Sequence, residues 1–379
     1  MSGRVAGWPP SSAGRGGHRS EGPAGERGEI AVALRLSGEI RQEGCVAQFG
    51  VGTVFPVNDR SRSVLVIGAG VQGLSTATIL AEAGHRVRVR TSEHPSETTS
   101  AVAGAVWGPT SLWPADRARR WAERTYGVFL ELATDPATGV HSVPGTVAGR
   151  TGFPENPPGS LGLLDGVRPC GAGELPPGFA VGLRATLPLV DMPRYMEYLS
   201  NRFLDAGGEL VLSTVPSLSE AAAESSLVVN CAGVGARELV GDPGVRPVAG
   251  QHVVVDNPGL EEFFIELSEV GEWTSYMPHG KRLVLGGTAV EHDWDRTPDP
   301  QVTEGILRRC GAIQPVLHDV RVREELVGLR PRSEAVRLHT EHYQGARIVH
   351  DYGHGGSGVM VSWGCAYEVV ELLLSDLDD

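Results

Sequence analysis

The sequence predicts an α/β protein: a Rossmann-type dinucleotide-binding domain with a second, mainly antiparallel domain inserted into it. Three observations carry this. An apolar run at 64–67 leads into Gly-Ala-Gly-Val-Gln-Gly and then a helical stretch. The order strand, glycine loop, helix returns at 347–374. Between them, residues 250–325 show the pattern of a half-solvated antiparallel sheet, as in His252-Val253-Val254-Val255 and Arg282-Leu283-Val284-Leu285-Gly286-Gly287. The expected division is 63–110, 205–250 and 326–379 for the dinucleotide domain, and 111–204 with 251–325 for the insertion.

The first element is a buried strand, Val64 to Ile67, followed by G-x-G-x-x-G at Gly68, Gly70 and Gly73. Gly68 permits the tight turn. Gly70 lets the backbone approach a pyrophosphate, and Gly73 lets the helix pack on the strand. That helix, Val71 to Ala83, aims its N-terminal N–H groups and positive dipole end at the phosphates. Gly84 stops it, and Val87-Arg88-Val89 resumes a strand. The flanking strands are the context that gives the motif meaning. A nicotinamide or a flavin dinucleotide both fit. An acidic residue after the second strand would hold a ribose hydroxyl; Glu93 is the only carboxylate near that place, with Ser92 as the alternative.

Further along, Thr98 to Pro109 crowds small and hydroxylated residues into a loop at the ligand-binding end of the sheet. Ala115 to Leu132 is an amphipathic helix whose Arg117, Arg119, Arg120 and Arg124 read as a solvated face. Residues 136–188 read as short strands and loops. Met192 to Ala206 is a helix with a core stripe at Tyr195, Leu199 and Phe203. Leu227 to Gly233 returns to the nucleotide sheet. Arg347 to Tyr352 is a strand, Gly353 to Gly358 a glycine loop and Val359 to Leu374 a helix, again an anion-binding arrangement. A helix N-terminus near a reduced flavin would stabilise its negative charge by about 0.3–2 kcal/mol. Two such loops exceed what a nicotinamide site needs.

Length and composition bound the partners. The 379 residues suffice for two domains, and 41% hydrophobic with 21% charged residues is ordinary for a globular chain. A net charge of −13 without a basic block makes nucleic acid and anionic membranes poor partners. No apolar run is expected to approach the roughly 18 residues that span a bilayer. Five dispersed cysteines without C-x-x-C argue against a disulfide framework and a zinc site, and fit the cytoplasm. Residues 1–62, rich in Gly, Ser, Pro and Arg at their start, read as a disordered, dispensable extension.

Four motifs carry a resemblance: Val-Ile-Gly-Ala-Gly-Val-Gln-Gly-Leu-Ser-Thr-Ala (66–77), Thr-Thr-Ser-Ala-Val-Ala-Gly-Ala-Val-Trp-Gly-Pro (98–109), Gly-Leu-Arg-Pro (328–331) and Tyr-Gly-His-Gly-Gly-Ser-Gly-Val-Met-Val-Ser-Trp-Gly-Cys-Ala (352–366). In order and spacing they resemble the D-amino-acid oxidase family. The resemblance implies non-covalent FAD and oxidation of D-amino acids by hydride transfer from the α-carbon to flavin N5. The imino acid then hydrolyses to an α-keto acid and ammonia, and O₂ reoxidises the flavin to give hydrogen peroxide. It assigns FAD contacts to Ala69, Gly70, Val71, Thr98, Thr99, Ser100, Gly104, Ala105, Val106, Val215, Gly355, Ser357, Gly358, Val359 and Met360. It assigns the substrate carboxylate to Arg330 and the Tyr276 hydroxyl, and the substrate amine to the Gly356 carbonyl. A guanidinium suits a carboxylate because its planar fork donates two parallel hydrogen bonds. His354 is expected to shape its loop.

The chain departs from the family pattern in places. Ser92 stands where an acidic residue is common, and Glu272 where some members carry a second substrate-site tyrosine. Ser357 replaces a commoner aromatic. The second arginine of Arg-Pro-x-x-Arg is displaced in Arg330-Pro331-Arg332-Ser333. A D-aspartate or glycine oxidase of the same architecture is the nearest alternative. An acidic substrate would want a further arginine, with Arg282, Arg296 and Arg321 as candidates. A non-catalytic FAD-binding protein is the alternative from another class. A homodimer fits either.

Overall fold

The computed structural model describes residues 61–108, 112–152, 166–171, 173–268 and 271–375. The expected disordered extension lies, but for residues 61 and 62, outside them. The chain opens β1 (Ser63–Ile67), α1 (Val71–Glu82), β2 (Arg86–Thr91), α2 (Ala115–Leu132), β3 (Val140–Gly149), β4 (Arg168–Pro169) and β5 (Val181–Val190). It continues α3 (Met192–Asp205), β6 (Glu209–Leu212), α4 (Leu218–Glu224), β7 (Leu227–Asn230), α5 (Ala236–Leu239), β8 (Arg246–Asp256), β9 (Phe263–Leu267) and β10 (Glu272–His279). It ends β11 (Arg282–Thr288), β12 (Val290–Glu291), α6 (Pro300–Ile313), β13 (Val322–Tyr343), β14 (Ala346–His354) and α7 (Gly358–Leu374).

The strands form one sheet in the order β4-β5-β3-β9-β10-β11-β8-β13-β14-β7-β1-β2-β6, with β12 paired to β8. Neighbours from β14 to β6 run parallel, as expected of strands joined through helices. Beyond β14 the pairing turns mainly antiparallel. The long β13 joins the two parts. It pairs with β8 along Val322 to Arg332 and with β14 along Arg332 to Tyr343. The expected boundaries at 250/251 and 325/326 therefore fall inside strands β8 and β13 rather than in linkers. Likewise α2 and α3, expected with the insertion, lie against α7 and α1. Their apolar stripes pack on α7 and α1, the two helices that lie against the parallel strands.

That helix layer is closely packed. Tyr195, Leu199 and Phe203 of α3 are fully buried, as their spacing predicts. Tyr195 OH accepts from Trp363 Nε1 at 2.8 Å. Gly364 of α7 lies directly on Trp121 of α2, where a Cβ would come within 2.2 Å of the Trp121 backbone. The basic residues of α2 divide. Arg119 and Arg120 are exposed as expected. Arg117 instead pairs with Glu368, and Arg124 stacks 3.6 Å from the Tyr367 ring, tying α2 to α7.

Two expectations are corrected. Residues Gly355–Leu374 form a 20-residue helical stretch of mean hydropathy 1.3, long and apolar enough to cross a membrane by those measures. Its apolar side chains pack against α1, α2 and the sheet, so their hydrophobicity serves the core. The antiparallel strands β8 and β11 are also not half-solvated. Val253, Val255, Leu283 and Leu285 pack under α6, while Val254 and Val284 join the main core on the other face.

Candidate active site

A cavity of about 1120 Å³ lies where the parallel and antiparallel parts of the sheet meet. It exceeds the roughly 300–1,000 Å³ of a small-molecule site, leaving room for a cofactor and a substrate together.

The first glycine turn works as its spacing implies. Gly68 has φ +101, and a Cβ there would sit 2.5 Å from the Cys231 carbonyl oxygen. Gly73 does not line the cavity. It acts through packing, because its Cβ would lie 1.9 Å from the Gly68 oxygen. α1 begins at Gly70 with no side-chain cap, so its first N–H groups are largely open to an anion. Val71 N–H is the exception, donating to Ser100 Oγ at 3.0 Å. This bond fixes the Thr98–Val106 loop beside the turn. Thr99 Oγ1 secures the other side of the loop, donating to the Leu329 carbonyl at 3.2 Å.

The two helix N-termini are coupled. Gln72 of α1 donates through Nε2 to the Gly358 carbonyl at the start of α7, at 3.0 Å. α7 also lacks a side-chain cap. Its loop is braced from beneath by His354, whose Nε2 lies 3.2 Å from Asp351 Oδ1 and 3.6 Å from Cys365 Sγ. His354 is buried and shapes the loop, as expected.

Ala69, Gly70, Val71, Thr98, Thr99, Ser100, Gly104, Ala105, Val106, Val215, Gly355, Ser357, Gly358, Val359 and Met360 all line the cavity, as does Gly68. Ser92 and Glu93 line its end near β2. The Glu93 carboxylate accepts from Arg296 at 2.6 Å. Arg296 is therefore tied to the end of the cavity near β2 and does not itself line it. Arg282 pairs with Asp191 at 3.0 Å, and neither Arg282 nor Arg321 lines the cavity.

Arg330, in the middle of β13, turns its half-buried guanidinium into the cavity. Nη1 donates to the Thr288 carbonyl at 2.8 Å, and the guanidinium lies 5.4 Å from the Trp273 ring centre. Gly250 makes the approach possible, since a Cβ there would fall 1.8 Å from Nη1. Gly356 packs on the arginine stem, its Cβ position 3.4 Å from Cδ. No carboxylate among the described residues pairs with Arg330. Burial alone lowers its pKa to about 10, the mark of a desolvated cation that an anionic ligand would compensate.

Tyr276 is a correction. It stacks on Phe264 at 5.7 Å and packs beneath α6, outside the cavity. The physical reason is strand parity. Successive residues face opposite sides, and a one-residue slip exchanges them. Side chains alternate along β10, so Trp273, Ser275 and Met277 take the cavity face and Tyr276 the opposite one. Glu272 is exposed and pairs with Arg309 at 2.8 Å. Sequence reasoning thus missed Trp273, Ser275, Met277 and His252 as cavity residues. Counting alternate positions back from Gly286-Gly287 along the hairpin was the available signal.

The residues fit a flavin dinucleotide: two coupled, uncapped helix N-termini, glycine turns that line the cavity with backbone, and a hydroxyl-rich loop. Comparisons with known proteins agree. The model of the FAD dependent oxidoreductase family matches residues 63–372. The D-amino-acid oxidase of Streptomyces coelicolor is 46% identical over 318 residues, covering 83% of this chain and 98% of its own length. That of Rubrobacter xylanophilus is 47% identical over 309 residues, covering 81% and 94%. The human D-aspartate oxidase is 33% identical over 323 residues, covering 82% and 94%. The crystal structure of glycine oxidase from Geobacillus kaustophilus has the same fold, with a TM-score of 0.67 at 20% identity over 83% of this chain and 95% of that one. The chain accordingly belongs to the D-amino-acid oxidase family of FAD-dependent oxidoreductases.

Proposed function

We propose that the protein oxidises D-amino acids to imino acids, which water converts to α-keto acids and ammonia. The observation that carries this is Arg330, a desolvated guanidinium in the cavity with no carboxylate partner among the described residues. Its free edge suits a substrate carboxylate, and each charge-assisted hydrogen bond contributes roughly 1.5–3 kcal/mol. The family resemblance gives the Gly356 carbonyl the role of accepting from the substrate amine, and Gly356 lies against the arginine stem. FAD, held by the two glycine turns, supplies the acceptor for the two electrons and the α-hydrogen when bound. The protein's own part is positioning: it anchors the acid group, accepts from the amine and excludes water. The amine enters neutral or loses its proton to solvent, so no side chain need act as base.

The D stereochemistry and oxygen as acceptor rest on the named relatives. A cytoplasmic location is part of the same proposal, supported by the free Cys170, Cys231, Cys310 and Cys365. The acidic-substrate alternative is disfavoured because Arg282 and Arg296 are already paired and Arg321 lies off the cavity.

Purified protein with added FAD, mixed without oxygen with a panel of D- and L-amino acids, tests the proposal. Bleaching of the visible flavin bands by D-enantiomers alone is expected. A colourless protein, or bands indifferent to every D-amino acid, overturns it.

A further inference from the structure

The oxidation above leaves unexplained a buried imidazole in the wall of the same cavity. His252 lies on β8 and is only 7% exposed. It lines the cavity, and its Nδ1 is buried without a hydrogen-bond partner. Three glycines make room for the ring. A Cβ at Gly286 would lie 2.3 Å from Nδ1, and Cβ atoms at Gly104 and Gly287 would lie 3.1 and 3.2 Å from Cε1. A leucine could fill such a space without burying a polar nitrogen, so the imidazole has a cost that packing alone does not offset. It is also neutral, since burial and the charge of Arg330 lower its pKa to about 3. A neutral imidazole carries one donor and one acceptor nitrogen.

A second polar group stands in the same row. Ser275 of β10 pairs with Gly286 of β11, which pairs with His252 of β8. The Ser275 hydroxyl donates to the Gly286 carbonyl at 3.0 Å, so its oxygen is left as an acceptor. Ser275 lines the cavity too, and the neighbouring Ile265, Trp273 and Met277 are apolar or aromatic.

We propose that His252 and Ser275 form a side-chain recognition pair, which selects substrates carrying an uncharged hydrogen-bond donor, such as an amide or hydroxyl, in the side chain. This deepens the D-amino-acid reading and rests on it. An amide satisfies both groups. An apolar side chain of the same size leaves His252 Nδ1 without a partner and the Ser275 oxygen unused as an acceptor, and discrimination of that kind is large because a buried polar group lacks its partner. A side-chain carboxylate would meet a neutral ring and an acceptor oxygen, while the two cations that act on the ring are committed elsewhere, Arg330 to the substrate's own carboxylate and Arg282 to Asp191.

The test uses the holoenzyme and matched ligands. The kcat/KM values for D-asparagine and D-leucine, near-isosteric, are compared, with D-threonine against D-valine as a second pair. Binding without turnover is read from the flavin spectrum with succinamate and 4-methylpentanoate, which lack the amine. Wild type is expected to favour the hydrogen-bonding member of each pair. His252→Leu and Ser275→Ala are each expected to cut the asparagine-to-leucine ratio at least tenfold and to shift the two dissociation constants in the same sense. His252→Gln is expected to restore part of both. A ratio within twofold of wild type in folded Ser275→Ala and His252→Leu overturns the proposal, as does a wild-type protein that favours D-leucine and 4-methylpentanoate tenfold. If no D-amino acid bleaches the flavin while succinamate still outbinds 4-methylpentanoate, the oxidation reading fails and the recognition pair stands.

Discussion

The guanidinium carbon of Arg330 stands 5.4 Å from the centre of the Trp273 ring, on the face of β10 that Tyr276 does not share. The cation is covered by an aromatic face and held at one nitrogen by the Thr288 carbonyl, which orients its fork without satisfying its charge. A carboxylate arriving there meets a preoriented partner.

Replacing that partner should separate cofactor binding from turnover. Arg330→Ala is expected to retain FAD and to lose roughly 10²–10⁴-fold in kcat/KM, the equivalent of two charge-assisted hydrogen bonds. Arg330→Lys should recover little, because an ammonium lacks the planar fork. Steady-state kinetics on the yellow protein check both; wild-type kcat/KM in Arg330→Ala removes the carboxylate anchor.

The glycine turn predicts the opposite separation. Gly73→Ala pushes a methyl into the Gly68 oxygen, 1.9 Å from the new Cβ, and must shift α1 or the turn. Reduced FAD retention after desalting is the expected outcome, measured as the ratio of flavin to protein absorbance. Full retention would mean that the turn tolerates displacement.

Gly364 tests the helix layer rather than the site. An alanine there meets the Trp121 backbone at 2.2 Å, and overpacking of this kind costs about 1–3 kcal/mol. The urea midpoint should fall, with the substrate KM of the remaining folded protein little changed. An unaltered midpoint contradicts the packing.

Acid should destabilise the fold through histidines. Burial lowers the pKa of His252 and of His279 from the ordinary 6.5 to about 3. The unfolded chain takes up protons on these rings below about pH 6.5, and the folded protein does not until near pH 3. Stability is therefore full above pH 6.5 and declines as pH falls through this window, by up to about 1.4 kcal/mol per unit for each ring. Urea midpoints at pH 7.5 and 5 measure it, and His279→Phe should flatten the slope if it folds. Equal midpoints for wild type would show that these rings are not held neutral.

The parts legible in the sequence were those that local chemistry dictates. Gly68, Gly70 and Gly73 announce themselves because only glycine tolerates the turn and the close approaches there. Arg330 was found by its motif, and the loop from Thr98 to Val106 by its hydroxyls. The buried stripe of α3 followed from spacing. What misled was parity and company. Tyr276 belongs to the other face because side chains alternate along β10 and its neighbours Ser275 and Met277 take the cavity side. The apolar Gly355–Leu374 stretch reads alike in a core and in a bilayer until its neighbours are known. Arg296 has the right charge for a substrate carboxylate, but the chain brings it to Glu93.

Sequence alone determined the two glycine turns, the helices behind them and the arginine set for an anion, since each is a matter of a few consecutive residues and their backbone freedom. Tertiary structure decided which side chains share the cavity with that arginine. His252 comes from β8, Trp273 and Ser275 from β10 and Arg330 from β13, and only the register of the sheet brings them to one wall. Register depends on pairing with other strands, and no single segment encodes it.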